Sequence, residues 1–252
     1  MPPKLSIITP CLNAQETIRA TIESVLQQAD EGIEYIIIDG GSTDETLGII
    51  KEYTQSIDHI ISEPDKGISD AFNKGVALAQ GEYIGIINAD DYYAPNAFDS
   101  ILQATTSKPD VIHGSLRYLS AAGNSYEEHP DLSQIWRYMS IFHPTMFVHR
   151  KAYQSIGTYR LDMQYAMDSE WVHRAIAQEL KFTQAASVIA TMRLGGRSHR
   201  YLLRSLIEFR RSAILHGAGT LLANYYFLRQ LSIQSLLKIN WIKAILLYRR
   251  GN

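Results

Sequence analysis

The chain has 252 residues, 46% of them hydrophobic and 20% charged, enough for one large folded domain or a domain with an appendage, and unlike a disordered or fibrous chain. Its single cysteine, Cys11, excludes an intrachain disulfide, as expected in a reducing compartment, and reads as a buried structural thiol. The formal net charge of −2 hides an asymmetry: residues 200–252 hold nine Lys/Arg and one acid, Glu208, so an acidic body is joined to a basic, apolar tail of the kind that suits an anionic lipid surface or an acidic partner.

The first hundred residues alternate strand and helix. Leu5–Thr9 reads as a strand and Ala14–Gln28 as an amphipathic helix with Ile18, Ile22, Val25 and Leu26 on one face. Asn13 is placed to cap it, with Glu16 three residues on as in a capping box. Strands are predicted at Glu34–Asp39, Ile57–Ser62 and Tyr83–Ile87, with helices at Thr43–Tyr53, capped by Ser42 or Thr43, and at Ile68–Ala79. Such alternation with short connections predicts an α/β fold with a mostly parallel sheet. The middle is less regular. Asp110–Leu119 and Ser125–Glu128 flank a hairpin turn at 121–124, Thr145–His149 is a short strand, and Met167–Leu180 is a helix with Trp171, Ala175 and Ile176 as its buried stripe. Ser187–Arg193 is a last strand, and the tail reads as two or three helices.

The start of the chain runs straight into a strand-like stretch with no separate apolar leader, and the longest charge-free run of the tail, Ser212 to Leu228, contains His216, Gly217, Gly219 and Asn224. It is a poor spanning helix, so the expected location is cytoplasmic.

Chemistry concentrates where apolar runs stop at carboxylates. Ile36-Ile37-Ile38-Asp39-Gly40-Gly41 and Ile84-Gly85-Ile86-Ile87-Asn88-Ala89-Asp90-Asp91 both end this way. Open α/β sheets bind ligands at the carboxyl ends of their strands. Hard cations prefer carboxylate oxygens and share their shell with substrate phosphates. A helix cap near Pro95 explains one of Asp90 and Asp91, not both. Asp39 can take hydrogen bonds from a ribose or a base, although turn capping also explains an acid there. Asp65-Lys66-Gly67-Ile68-Ser69-Asp70-Ala71-Phe72-Asn73-Lys74-Gly75 opens the third helix, whose N-terminus is a natural anion site; Lys66 and Lys74 taken singly read as solvated charges. Asp168 and Glu170 open another helix, where dipole and capping explain a carboxylate as readily as a general base does.

These motifs, together with Thr9-Pro10-Cys11-Leu12-Asn13, Gly81-Glu82-Tyr83-Ile84, His143-Pro144-Thr145, Asp168-Ser169-Glu170 and Arg193-Leu194-Gly195-Gly196-Arg197-Ser198, occur in an order that resembles family 2 glycosyltransferases of GT-A fold, most of all the bacterial branch that builds colanic acid and related exopolysaccharides. The likeness spans roughly residues 4 to 199. It implies a catalytic domain over 1–199 and a helical tail over 200–252. It also implies inverting transfer from a nucleotide-diphosphate sugar, UDP- or GDP-linked, to a glycan or lipid-linked acceptor. Asp90 would hold Mn²⁺ or Mg²⁺ on the diphosphate, with Asn88, Ala89 and Asp91 close by. Asp39 would hold the nucleoside, and Thr9-Pro10 would lie beside the base. Asp168 would be the base that activates the acceptor hydroxyl. Asn13, Asp70, Asn73, Lys74, His143, Glu170 and Arg197 join the substrate-binding set, His143 toward the acceptor and Arg197 on a loop that closes near the diphosphate. Two departures stand out. Many members carry Asp where this chain has Asn88, and commonly Asp where it has Glu170.

A dinucleotide-binding oxidoreductase and a sugar-phosphate nucleotidyltransferase would each need a Gly-rich loop after strand one, which Thr9–Ala14 lacks. A non-catalytic, nucleotide-binding subunit of a membrane-associated complex is the alternative that Asn88 and the basic tail allow. In the tail, Arg200, Arg204, Glu208 and Arg211 share one helical face opposite Leu202, Leu206, Phe209 and Ala213, while Tyr225, Tyr226, Trp241 and Tyr248 suit a lipid interface. Contact with a membrane surface and packing between copies weigh equally. Nucleic acid does not fit, because the basic residues are interleaved with long apolar runs.

Overall fold

The computed structural model describes residues 2–194, 201–233 and 235. The chain runs β1 (Leu5–Cys11), α1 (Ile18–Leu26), β2 (Ile33–Asp39), α2 (Thr46–Lys51), β3 (His59–Ser62), α3 (Ile68–Leu78), β4 (Tyr83–Ile86), β5 (Tyr92–Tyr93), α4 (Ala97–Ala104), β6 (Val111–Leu119), β7 (Ser125–Glu128), β8 (Phe147–His149), α5 (Arg150–Ile156), α6 (Met167–Ala177), β9 (Phe182–Arg193) and α7 (Leu202–Leu215). A further stretch over 220–233 is helical.

The near-continuous apolar runs of β1 and β2 follow from their place in the middle of a sheet covered on both faces. Leu5, Ile7 and Ile37 point to the layer that holds Ile18, Ile22 and Val25 of α1 and Ile101 of α4. Ile8, Ile36 and Ile38 point to the opposite layer, with Phe72 and Val76 of α3 and Trp171 and Val172 of α6. The sheet order is β3-β2-β1-β4-β8-β6-β9-β5, with β7 on β6. The first four strands of that order are parallel. Beyond β4 the sheet is mixed: β8 lies antiparallel between β4 and β6, β9 runs parallel to β6, and β5 pairs antiparallel with β9. Strict helix-strand alternation stops at β4; the parallel pair beyond it, β6 with β9, is joined by a long crossover that carries β7, β8, α5 and α6.

Several local details differ from the sequence expectation. Helix α1 starts at Ile18, not Ala14, and its cap residue Thr17 makes no side-chain cap bond. Asn13 has a left-handed φ of 50° and turns away from the helix; its Oδ1 accepts from the Thr43 N–H at 2.9 Å, while its own N–H donates to Ser42 Oγ at 2.8 Å. The capping box does not form. Helix α2 starts at Thr46, since Ser42 and Thr43 are engaged elsewhere and Asp44 Oδ1 takes the Thr46 N–H at 3.0 Å. Strand β9 begins at Phe182 rather than Ser187, and β5 is a short strand that the sequence does not announce. The hairpin of β6 and β7 forms as expected, closed by Ser120 N–H to Asn124 O at 2.9 Å.

The described part of the tail packs on the body. His173 of α6 lies buried between Trp136, stacked at 4.7 Å, and Phe209 of α7, edge-on at 4.9 Å. Its ring nitrogens bond Ser212 Oγ at 2.7 Å and Ile135 O at 3.1 Å. Burial lowers its pKa to about 4, so a neutral imidazole bridges the two helices. Among the described residues no helix is long and apolar enough to cross a membrane.

Candidate active site

The register brings the carboxylate-ended strands to one edge: Cys11 sits opposite Asp39, Asp39 opposite Ser62, and Ile8 opposite Ile86. Asp39 is fully buried there. Its carboxylate accepts from the Gly41 N–H at 3.1 Å, from Ser62 Oγ at 2.7 Å, and from both the N–H and hydroxyl of Ser42. It is the hub of the turn after β2. The Cys11 thiol lies 3.7 Å from Asp39, and burial beside that charge pushes its pKa up, so it is a closed thiol rather than a nucleophile. Gly40 is a close approach, because a Cβ there would run into the Asp65 carboxylate. Thr9 and Pro10 are buried, and Thr9 Oγ1 bonds Tyr35 OH at 3.1 Å.

The second carboxylate turn, 88–91, is held by two other elements and by a bond across itself. Thr21 of α1 donates to Ala89 O and Asp91 O, at 3.0 and 2.6 Å. Asp91 N–H closes on Asn88 O at 3.0 Å. From the end of β9, Arg193 gives its N–H to Asp91 Oδ1 at 3.2 Å and a guanidinium N–H to Asp90 O at 3.3 Å, while its guanidinium covers the Tyr92 ring. Asp91 is buried, and desolvation, followed by the neighbouring Asp90 charge, holds its pKa well above the usual carboxylate range. Asp90 differs: its carboxylate is partly exposed and takes no hydrogen bond or ion pair from the described residues. Beside it, Asn88 Oδ1 is a buried acceptor with no donor. An unpartnered carboxylate and an orphaned amide oxygen on one tight turn are an oxygen donor pair suited to a hard divalent cation that keeps other positions for phosphate. Among the described residues no cluster of three or more acidic, His or Cys side chains forms a complete protein cage for a metal.

Helix α3 carries the third part. Asn73 clamps the segment before α6 from both sides, donating to Tyr159 O at 2.8 Å and accepting from Tyr159 N–H at 2.9 Å. Ser69 Oγ donates to Met163 O at 3.1 Å. These bonds lay the 157–166 segment along α3 and lead into α6, whose second residue is Asp168. One Asp168 oxygen accepts the Ser169 N–H at 2.7 Å. Its pKa is raised, first by burial, with Glu208 of α7 adding like charge. A partly exposed carboxylate of raised pKa at a helix start has the character of a general base.

Other expected site residues take different parts. Lys74 ion-pairs with Glu63 at 2.8 Å and with Asp70 at 3.6 Å, at the rim of the α3 N-terminus. His143 is buried and stacked on Phe72 at 4.9 Å, and burial lowers its pKa to about 4, so it is neutral. Glu170 is fully buried; it pairs with Arg174 at 2.9 Å and with His216 at 2.9 Å. Asn73, Thr9 and Glu170 have side-chain polar atoms bonded to neighbouring elements of the protein. Arg197 lies outside the described residues, as do Trp241 and Tyr248. Sequence reading assigned no role to Arg193, Thr21 or Asp65, although Arg193 and Asp65 stand in its motifs. The first ends the last predicted strand, a placement that could have singled it out.

The family model for glycosyl transferase family 2 matches residues 6–169. A PGL/p-HBAD biosynthesis glycosyltransferase from Mycobacterium bovis is 30% identical over 178 residues, 67% of either chain. Chondroitin synthase from Escherichia coli is 38% identical over 102 residues, 40% of this chain and 15% of the synthase. Among solved structures, the mannosyltransferase PcManGT from Pyrobaculum calidifontis, in complex with GDP-Man and Mn²⁺, aligns with a TM-score of 0.68 at 18% identity, over 90% of this chain and 70% of that one. TarS from S. aureus in complex with UDP-GlcNAc aligns with a TM-score of 0.67 at 15% identity, over 89% of this chain and 70% of that one. The chain belongs to glycosyltransferase family 2 and has the GT-A fold.

Proposed function

We propose that this glycosyltransferase moves a sugar from a UDP- or GDP-linked donor to an acceptor hydroxyl, with inversion at the anomeric carbon, in the synthesis of an exopolysaccharide or cell-surface glycan. The observation that carries the reading is the Asp90 carboxylate, without a partner among the described residues on a turn that α1 and the end of β9 hold in place. A divalent cation, Mn²⁺ or Mg²⁺, held by Asp90 with Asn88 Oδ1 nearby would neutralise charge on the donor diphosphate. Asp39 shapes the turn against which the nucleoside rests, and Arg193 steadies the 90–91 backbone. Asp168 takes the proton of the acceptor hydroxyl as its oxygen bonds the anomeric carbon and the bond to the diphosphate oxygen breaks. Neutral His143 and Asn73 act as scaffold for the acceptor side.

The acceptor is read as a glycan or lipid-linked sugar. The tail supports that reading: Leu221, Tyr225 and Leu228 recur at helical spacing and are exposed, next to a basic excess. The same stripe suits a second copy of the chain, and pelleting with anionic vesicles separates the two. Donor turnover by Asp168→Asn tests the chemistry. Hydrolysis or transfer lost by about 10²–10⁴-fold with nucleotide binding intact supports the assignment; unaltered turnover removes Asp168 from the reaction.

A further inference from the structure

Glu208 lies on α7, outside the residues matched by the family model. It does not face solvent as part of a charged helix surface. Its carboxylate accepts from three successive backbone N–H groups: Gln164 at 3.0 Å, Tyr165 at 2.7 Å and Ala166 at 3.0 Å. Those amides immediately precede α6, and Asp168 follows two residues later. A carboxylate gathered by consecutive amides is a charge-assisted anchor for that stretch of backbone. The helix that carries it is fixed to the body at other points, by His216 to Glu170 at 2.9 Å and by Arg211 to Asp162 at 3.0 Å.

We infer that Glu208 is a positioning residue for catalysis: from the C-terminal helix it pins the 164–166 backbone and so sets the place of Asp168. The inference rests on the reading of Asp168 as the base. The groups that face Asp168 are Ser169 on its own helix, the buried Tyr159 phenol from the preceding segment, and Glu208 from α7. Nearby cations are committed elsewhere: Arg174 to Glu170 and the Thr158 carbonyl, Arg204 to Tyr165. Among the described residues no cation pairs with the Asp168 carboxyl; burial raises its pKa first, and Glu208 adds a smaller push in the same direction.

The test compares full-length wild type with Glu208→Gln and Glu208→Ala. Backbone hydrogen exchange is read at 164–169. The Asp168 carboxyl is titrated by carbon NMR, its signal assigned by absence in Asp168→Asn. UDP and GDP binding with Mn²⁺ is measured alongside. Exchange at 164–166 should rise about tenfold or more in Glu208→Ala. In near-isosteric Glu208→Gln the Asp168 pKa should fall, because a neighbouring negative charge is gone, while nucleotide binding stays as in wild type. A merely structural glutamate would not move that titration. Unchanged exchange in Glu208→Ala, or an Asp168 titration that does not move downward in Glu208→Gln, overturns the inference. If wild type itself binds neither nucleotide, the proposed function falls, and exchange and titration still decide the role of Glu208.

Discussion

Asp168 places catalysis and stability in opposition. A carboxyl whose folded-state pKa is raised above its unfolded value carries no penalty below the unfolded pKa; the penalty grows as pH rises and is complete above the folded pKa. Asp168 is raised by burial and by Glu208, so at neutral pH its ionised form costs stability. Asp168→Asn should therefore melt no lower than wild type at pH 7 while losing turnover; a clearly lower melting temperature would show that the ionised carboxylate stabilises the fold. The same direction gives the activity profile: turnover should fall on acidification with a midpoint higher than that of an ordinary aspartate. Glu170 is the contrasting acid. It is fully buried between Arg174 and His216, and its removal takes the carboxylate partner from the part-buried Arg174 guanidinium, so Glu170→Ala should cost about 3–5 kcal/mol in urea unfolding. A loss below 1 kcal/mol would mean the pair is not formed in solution. Asp39 and Asp90 were legible in the sequence because an apolar run stopping at an acid marks a strand end. Glu170 was not, since its partner His216 lies on a helix whose docking no local pattern reports.

Among elements, the parallel β3-β2-β1-β4 half was readable from alternation and short connections, and its register follows from the both-face burial of the isoleucines. The mixed half was readable only in part: the β6–β7 hairpin and a short strand at β8 were expected, but β5 is too short to show a period, and the pairing of β8 and β5 joins segments distant in the chain. Helix starts were missed for one reason. Asn13, Ser42 and Thr43, each a good cap by residue type, bond one another and Asp39 across the β1 and β2 ends; tertiary partners outcompeted the local cap. Close element contacts can be tested at Gly81, where an added Cβ would lie 2.5 Å from the Ser6 nitrogen and 2.7 Å from the Leu5 carbonyl carbon. Backbone cannot yield as a side-chain tip can, so Gly81→Ala should destabilise by at least about 1–3 kcal/mol, read as a lower denaturant midpoint. An unchanged midpoint would show that β1 and β4 have slack.

At the scale of the molecule, the matched family region ends at residue 169, soon after Asp168, and α7 packs back on the segment that carries that residue. The body and the helix behind it work as one unit: α1 holds the 88–91 turn, α3 holds the 157–166 segment, and α7 closes on α6. Charge asymmetry made the tail conspicuous in the sequence, whereas in the structure its acid, Glu208, accepts from three successive backbone N–H groups of 164–166. The central claim is that the β1, β2 and β4 ends form a metal-assisted nucleotide-diphosphate site. It is tested most directly by the thermal shift of wild type and Asp90→Ala with UDP, GDP, CDP and dTDP, each with and without Mn²⁺. A nucleotide at a hundredfold excess over its Kd stabilises the native state by about 2.7 kcal/mol. The account predicts a Mn²⁺-dependent rise in wild type with UDP or GDP, and loss of that metal dependence in Asp90→Ala. No rise with any nucleotide, or an equal metal-dependent rise in Asp90→Ala, would contradict it.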